Sequence, residues 1–129
     1  IHMVRKVVDY AVTEIPNKKI RMGIPNYGYD WPLPFEKGVT SAKTIGNIEA
    51  VRIAVAQGVP IQFDLTAQSP WFTYYGDERM HEVWFEDVRS LQAKFDLIKE
   101  YQLEGCGYWN IMQFFYANWL LLAQNFQII

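Results

Sequence analysis

The chain has 129 residues, half of them hydrophobic and 16% aromatic, with a formal net charge of −2. Such a chain builds one domain of ordinary size with a packed core, which excludes a disordered segment. Its balance of charge leaves no electrostatic footprint for nucleic acid, its single cysteine excludes an internal disulfide, and no apolar run reaches the length of a membrane span.

The opening Ile1-His2-Met3 reads as a cloning scar with no signal peptide, so the native sequence is expected to start near Val4. That leaves His81 as the native histidine, which argues against His-based metal or triad chemistry, and neither metal nor cofactor is predicted. Val4, Val7, Val8, Ala11, Val12 and Ile15 recur at helical spacing and predict one apolar helix face ended by Pro16 and Asn17. A strand follows over Arg21–Asn26, apolar enough to be covered on both faces, with Pro25 marking its end.

From Pro32 to Glu86 the pattern changes. Asn47 is placed to cap a helix that carries Ile48, Val51, Ala54 and Val55 inward and is closed by Gly58. Three strands are predicted next, at Ile61–Thr66, Trp71–Tyr75 and Glu82–Glu86, joined by turns at Ser69-Pro70 and Gly76-Asp77. Short turns between strands mean an antiparallel sheet, so residues 32–86 are expected to form an α+β subdomain inserted after the first strand. Asp87 then caps a long helix with Val88, Leu91, Phe95 and Ile98 on one face, stopped by Gly105. A strand is predicted at Cys106–Ile111, with Cys106 as a buried inert thiol. A last helix around Ala117–Gln124 carries Trp119, Leu120 and Leu121, before the tail Asn125–Ile129. A helix running into a buried strand, twice, is the unit of an α/β protein with a parallel sheet, whose chemistry sits at the carboxyl ends of its strands.

Gly23-Ile24-Pro25-Asn26-Tyr27-Gly28 resembles the seventh strand of the glycoside hydrolase family 18 (chitinase-like) barrel, and Gly105-Cys106-Gly107-Tyr108-Trp109 is similar to its eighth. Tyr27-Gly28-Tyr29-Asp30-Trp31, Ala67-Gln68-Ser69-Pro70, His81-Glu82-Val83-Trp84-Phe85-Glu86-Asp87 and Asn118-Trp119-Leu120-Leu121 further resemble a subgroup of that family, the spore-germination and cortex-lytic enzymes of endospore-forming bacteria. The resemblance implies an α/β fold, the carboxyl-terminal fragment of a (β/α)8 TIM barrel. Residues 4–31 would hold a helix and strand seven, 32–86 the chitinase insertion domain, and 87–129 a helix, strand eight and the last helix. The family's catalytic signature, Asp-x-x-Asp-x-Asp-x-Glu, is absent, and a full barrel takes about 250 residues. The catalytic glutamate is therefore expected upstream, with no catalytic residue in this fragment. Tyr29 stands where many chitinases carry arginine.

In this family one glutamic acid protonates the leaving oxygen and the substrate's own N-acetyl group is the nucleophile. The resemblance makes Trp109 the apolar floor beneath the distorted sugar, against the alternative of a core tryptophan at a strand end. Tyr27 is either a hydrogen-bond donor to the sugar or a buried tyrosine closing the rim. Asp30 and Trp31 lie where the chain leaves the barrel, with Asp30 either touching ligand or capping that turn. Trp71, Phe72 and Tyr74 either line the cleft wall or form the insertion's core. Glu82, Glu86 and Asp87 make an acidic cluster best read as a solvated strand face plus a helix cap.

The partner implied is a polysaccharide or muropeptide substrate of β-linked N-acetylhexosamine, cleaved by substrate-assisted retaining hydrolysis at the spore cortex, coat or cell wall. A non-catalytic carbohydrate-binding protein or a spore-coat module is the alternative. Edges left unpaired by a missing barrel are expected to make the fragment self-associate.

Overall fold

The computed structural model describes residues 1–128 and contains four α-helices and seven strands among them. Helix α1 spans His2–Glu14, so His2 and Met3 continue the helix predicted from Val4. Val8 is its one buried residue, with Val4 and Val12 packed beside it, while Val7 of the predicted face is exposed. A 3-10 turn at Asn17–Lys19 leads into β1, Arg21–Pro25.

Strand β1 pairs in parallel with β7, Gly105–Trp109, from Arg21 opposite Gly105 to Pro25 opposite Trp109. Proline has no N–H to continue the ladder, and β1 stops there as expected. Met22 and Ile24 join Leu91, Phe95, Leu97, Ile98 and Leu103 in one core, against which Cys106 and Tyr108 pack from β7. The other face of this two-stranded sheet is open, since a Cβ built on Gly23 or Gly107 would meet nothing within 4 Å. The expectation of a strand covered on both faces is therefore corrected: among the described residues one face is covered. Cys106 is half-buried, and that burial pushes its thiol above the usual value.

The second sheet is antiparallel and five-stranded, in the order β3-β2-β6-β5-β4. Strands β4 (Gln62–Asp64), β5 (Ser69–Gly76) and β6 (Arg79–Trp84) correspond to the three predicted ones. Two strands are additional, β2 at Gly28–Pro32 and β3 at Lys43–Ile45. The boundary drawn after Trp31 thus falls inside β2, which lies between β3 and β6 in the sheet. Gly28 sits so close to β6 that a Cβ there would lie 2.6 Å from the Phe85 Cβ and the Trp84 carbonyl oxygen.

Helix α2, Asn47–Gln57, covers one face of this sheet, burying Ala50 and Ala54 against Ile45, Phe72, Val83 and Phe85. Its N-cap is Gly46 rather than the predicted Asn47. The Asn47 side chain is buried and accepts a 2.9 Å hydrogen bond from the Glu86 backbone N–H instead. Gly58 closes the helix at φ 64°, a conformation that costs glycine little.

Helix α3, Val88–Glu100, starts as predicted at Asp87, whose carboxylate accepts from the Arg89 and Ser90 backbone N–H groups. The Ser90 hydroxyl accepts from the Asp87 N–H in return, so three backbone donors at the helix start are satisfied together. The helix ends earlier than expected, at the cap residue Tyr101, and Gly105 opens β7 instead. Helix α4 spans Tyr116–Asn125; of the tail Asn125–Ile129, Ile129 lies outside the described residues.

The acidic cluster is reassigned in part. Strand β6 ends at Trp84, so Glu82 and Glu86 do not share a strand face. Glu86 is buried, 2.8 and 2.9 Å from the Lys94 ammonium, and accepts a 2.6 Å bond from the Ser90 hydroxyl. A carboxylate taken from water needs such partners, and α3 supplies both.

Candidate functional site

The carboxyl ends of β1 and β7 lie side by side and share one buried anchor, Asn26. Its backbone N–H donates to the Trp109 carbonyl at 3.1 Å, and its side-chain amide donates to the carbonyls of Asn110 (3.1 Å) and Gln113 (2.6 Å). Asn118 of α4 accepts 2.7 Å from the Tyr108 hydroxyl and donates 3.4 Å to the Asn26 side-chain oxygen. Asn26 and Asn118 are both fully buried. Together they hold the segment after β7 without contributing a surface of their own. Burial first of all raises the Tyr108 phenol above its usual value.

Trp109 follows from that arrangement. It ends β7 on the face away from the helical core, and 72% of it is exposed. Within these residues its ring does not join the helical core. Tyr27 is half-buried just beyond β1, and its ring meets Tyr29 edge-on at 5.4 Å. The neighbouring Tyr29, and then burial, push the Tyr27 phenol above its usual value, so it stays a hydroxyl donor at neutral pH. From Tyr29 the aromatic contacts continue to Trp31 at 6.1 Å and from Trp31 to Phe35 at 5.7 Å.

Side chains alternate across a strand, and this alternation divides the antiparallel sheet into two unlike faces. Phe72, Val83 and Asp30 point towards the covered side, while Tyr29, Trp31, Trp71, Glu82 and Trp84 point the other way. Trp71 stands opposite Trp84, which stands opposite Tyr29, so the three form a row across the sheet. The two indoles are stacked, with ring centroids 5.6 Å apart and planes 16° from parallel. Flat apolar ring faces lined up in this way suit a ligand made of successive rings.

Asp30 is not part of that surface. It is the middle residue of β2, only 6% exposed, rather than a turn cap. One carboxylate oxygen accepts from the Tyr74 hydroxyl at 2.7 Å and the other lies 2.8 Å from Nδ1 of His81. Tyr74 and His81 stack at 4.8 Å, and burial followed by the Asp30 bond raises the Tyr74 phenol. Both Asp30 oxygens are thus occupied by the layer's own side chains. Phe72 and Tyr74 belong to the packed side with it.

The sites predicted from sequence therefore separate. Trp109, Tyr27, Trp31 and Trp71 present exposed or half-exposed rings, whereas Asp30 is enclosed. Missed in the sequence were Trp84 on the outward face, and Asn26 and Asn118 beneath the strand ends; Glu82, read from sequence as part of a strand face, lies on the outward one. The period-two alternation of Glu82-Val83-Trp84 was the signal for Trp84. No cluster of three or more metal-ligating side chains occurs among the described residues.

A profile of glycosyl hydrolases family 18 matches residues 2–113. The cortical fragment-lytic enzyme of Bacillus subtilis (strain 168) is 50% identical over 127 residues, covering 98% of this chain and 30% of that protein. The crystal structure of the Bacillus megaterium QM B1551 spore cortex-lytic enzyme SleL superposes with a TM-score of 0.92 at 52% identity, again over 98% of this chain and 30% of that one. A chitinase from Chromobacterium violaceum ATCC 12472 matches at 30% identity and a TM-score of 0.80, over 92% of this chain and 36% of its own. The chain thus spans about a third of the length of these relatives.

Proposed function

This chain belongs to glycosyl hydrolases family 18, and from that premise we propose that it is the carboxyl-terminal part of a glycosidase domain acting on β-linked N-acetylhexosamine polymers of the spore cortex. On this reading β1 and β7 are the seventh and eighth strands of a (β/α)8 barrel. The antiparallel sheet with α2 is the insertion that raises one wall of its cleft.

The exposed indole of Trp109 at the carboxyl end of β7 carries the proposal. The bond would be cleaved by the substrate's own N-acetyl oxygen, with a glutamic acid supplied by sequence outside these 129 residues protonating the leaving oxygen. Trp109 would hold the sugar so that this oxygen reaches the anomeric carbon. Tyr27, kept protonated, would donate a hydrogen bond to the same sugar, and Trp31 and Trp71 would stack on sugars further along the chain.

The test compares two preparations. By itself the 129-residue chain should bind N-acetyl chito-oligosaccharides without turning them over, because it lacks the acid. In a parent protein with the remaining strands, Trp109→Ala should lower kcat together with kcat/KM, the latter by about two orders of magnitude, or about 2.7 kcal/mol. Unchanged kinetics in that variant would overturn the reading, as would turnover by the isolated chain.

A further inference from the structure

The outward face of the antiparallel sheet carries one feature that stacking on neutral sugars does not require. Glu82 sits in its middle, with Thr73 opposite on β5 and Trp31 opposite on β2. Along its own strand it accepts a 2.7 Å hydrogen bond from the Trp84 indole N–H through Oε1. That bond takes one carboxylate oxygen and leaves Oε2 without a partner among the described residues.

Among the described residues, none of the ion pairs involves Glu82. The outward positions of the five strands carry no lysine or arginine: Thr44, Tyr29, Trp31, Met80, Glu82, Trp84, Ser69, Trp71, Thr73, Tyr75, Gln62 and Asp64 occupy them. Asp64, the other acid there, is already engaged by the Ala67 backbone N–H. Glu82 is therefore a half-buried carboxylate with no ion-pair partner among the described residues, bonded to Trp84 and sharing its sheet face with Trp31 and Trp71.

A carboxylate held at the N–H edge of one indole, with other indoles on the same sheet face, offers one kind of group two attractions. A protonated amine gains the Coulomb attraction of the carboxylate and the cation–π attraction of the rings. A neutral acetamide gains neither. Resting on the reading of this face as a glycan wall, we propose that Glu82 and the surrounding indoles form a specificity site for a glycan carrying a protonated primary amine, on the sugar or on its substituent. Glu82 would choose among glycans without touching the bond that breaks.

The experiment titrates the 129-residue chain with a tetramer of glucosamine and with a tetramer of N-acetylglucosamine, below neutral pH so that the sugar amines are charged. Binding is followed by calorimetry in the wild type and in Glu82→Gln. The glutamine keeps an oxygen for the Trp84 N–H and lies on an outward face, so folding is preserved. The wild type should prefer the glucosamine tetramer by about three- to tenfold, the range of an exposed ion pair combined with a cation–π contact. The preference should shrink as salt is added. In Glu82→Gln it should disappear while affinity for the acetylated tetramer is kept. Equal binding of both tetramers by the wild type, or an undiminished preference in Glu82→Gln, would refute the role of Glu82 and leave the glycan wall intact. Failure of both tetramers to bind would refute the wall itself.

Discussion

Replacing Asn26 by alanine removes the group that ties the end of β1 to the segment after β7. Its side chain makes two donor bonds, to Asn110 and Gln113, and accepts a longer one from Asn118. Each neutral bond contributes about 0.5–1.5 kcal/mol net, and a buried partner left without one costs about 1–3 kcal/mol. Some of the freed carbonyls can turn to water because Asn110 and Gln113 are not fully buried. Asn26→Ala should therefore cost about 2–4 kcal/mol, which lowers Tm by about 7–15 °C for a chain of this length. Asn26→Asp is the sharper variant, because it places an acceptor against the two carbonyl oxygens. Burial and those oxygens raise the pKa of the introduced carboxyl in the folded state above its unfolded value. The penalty of Asn26→Asp is then small at a pH below the unfolded value and grows as pH rises through it. Thermal denaturation of both variants at several pH values measures this directly. An Asn26→Ala variant within about 0.5 kcal/mol of wild type, or an Asn26→Asp penalty that does not grow with pH, would mean that Asn26 does not hold this junction.

Two further outcomes follow from the same structure. Lys94→Met leaves Glu86 buried without its ammonium and should cost about 3–5 kcal/mol, whereas Lys94→Met combined with Glu86→Leu should recover much of that loss; urea denaturation of the single and double variants decides it, and additive effects would refute the pairing. The open face and outer edges of the β1–β7 sheet should make the chain self-associate, with sedimentation at micromolar concentration expected to give a dimer or larger species; a clean monomer that unfolds cooperatively would sink this expectation.

The local rules carried the sequence a long way where one interaction dominates. Helix periodicity predicted α1 and α3, Asp87 announced its capping box, Gly58 its left-handed cap, and Pro25 the end of β1. Each is decided within a few residues by backbone geometry or by a face that must be buried. The family also lay within reach, because the segments around Tyr27 and Trp109 resemble its strand motifs, and the family profile matches residues 2–113. The sequence could not decide which of two opposite faces each aromatic would take, since that depends on pairing partners far along the chain. Strand β2 exists because β3 and β6 flank it, and that pairing turned Asp30 from a turn residue into a buried partner of Tyr74 and His81. Glu86 likewise reads as a surface acid until α3 brings Lys94 and Ser90 to it. Long-range contacts set the burial of these groups, and burial decides whether a polar side chain meets a ligand or holds the fold.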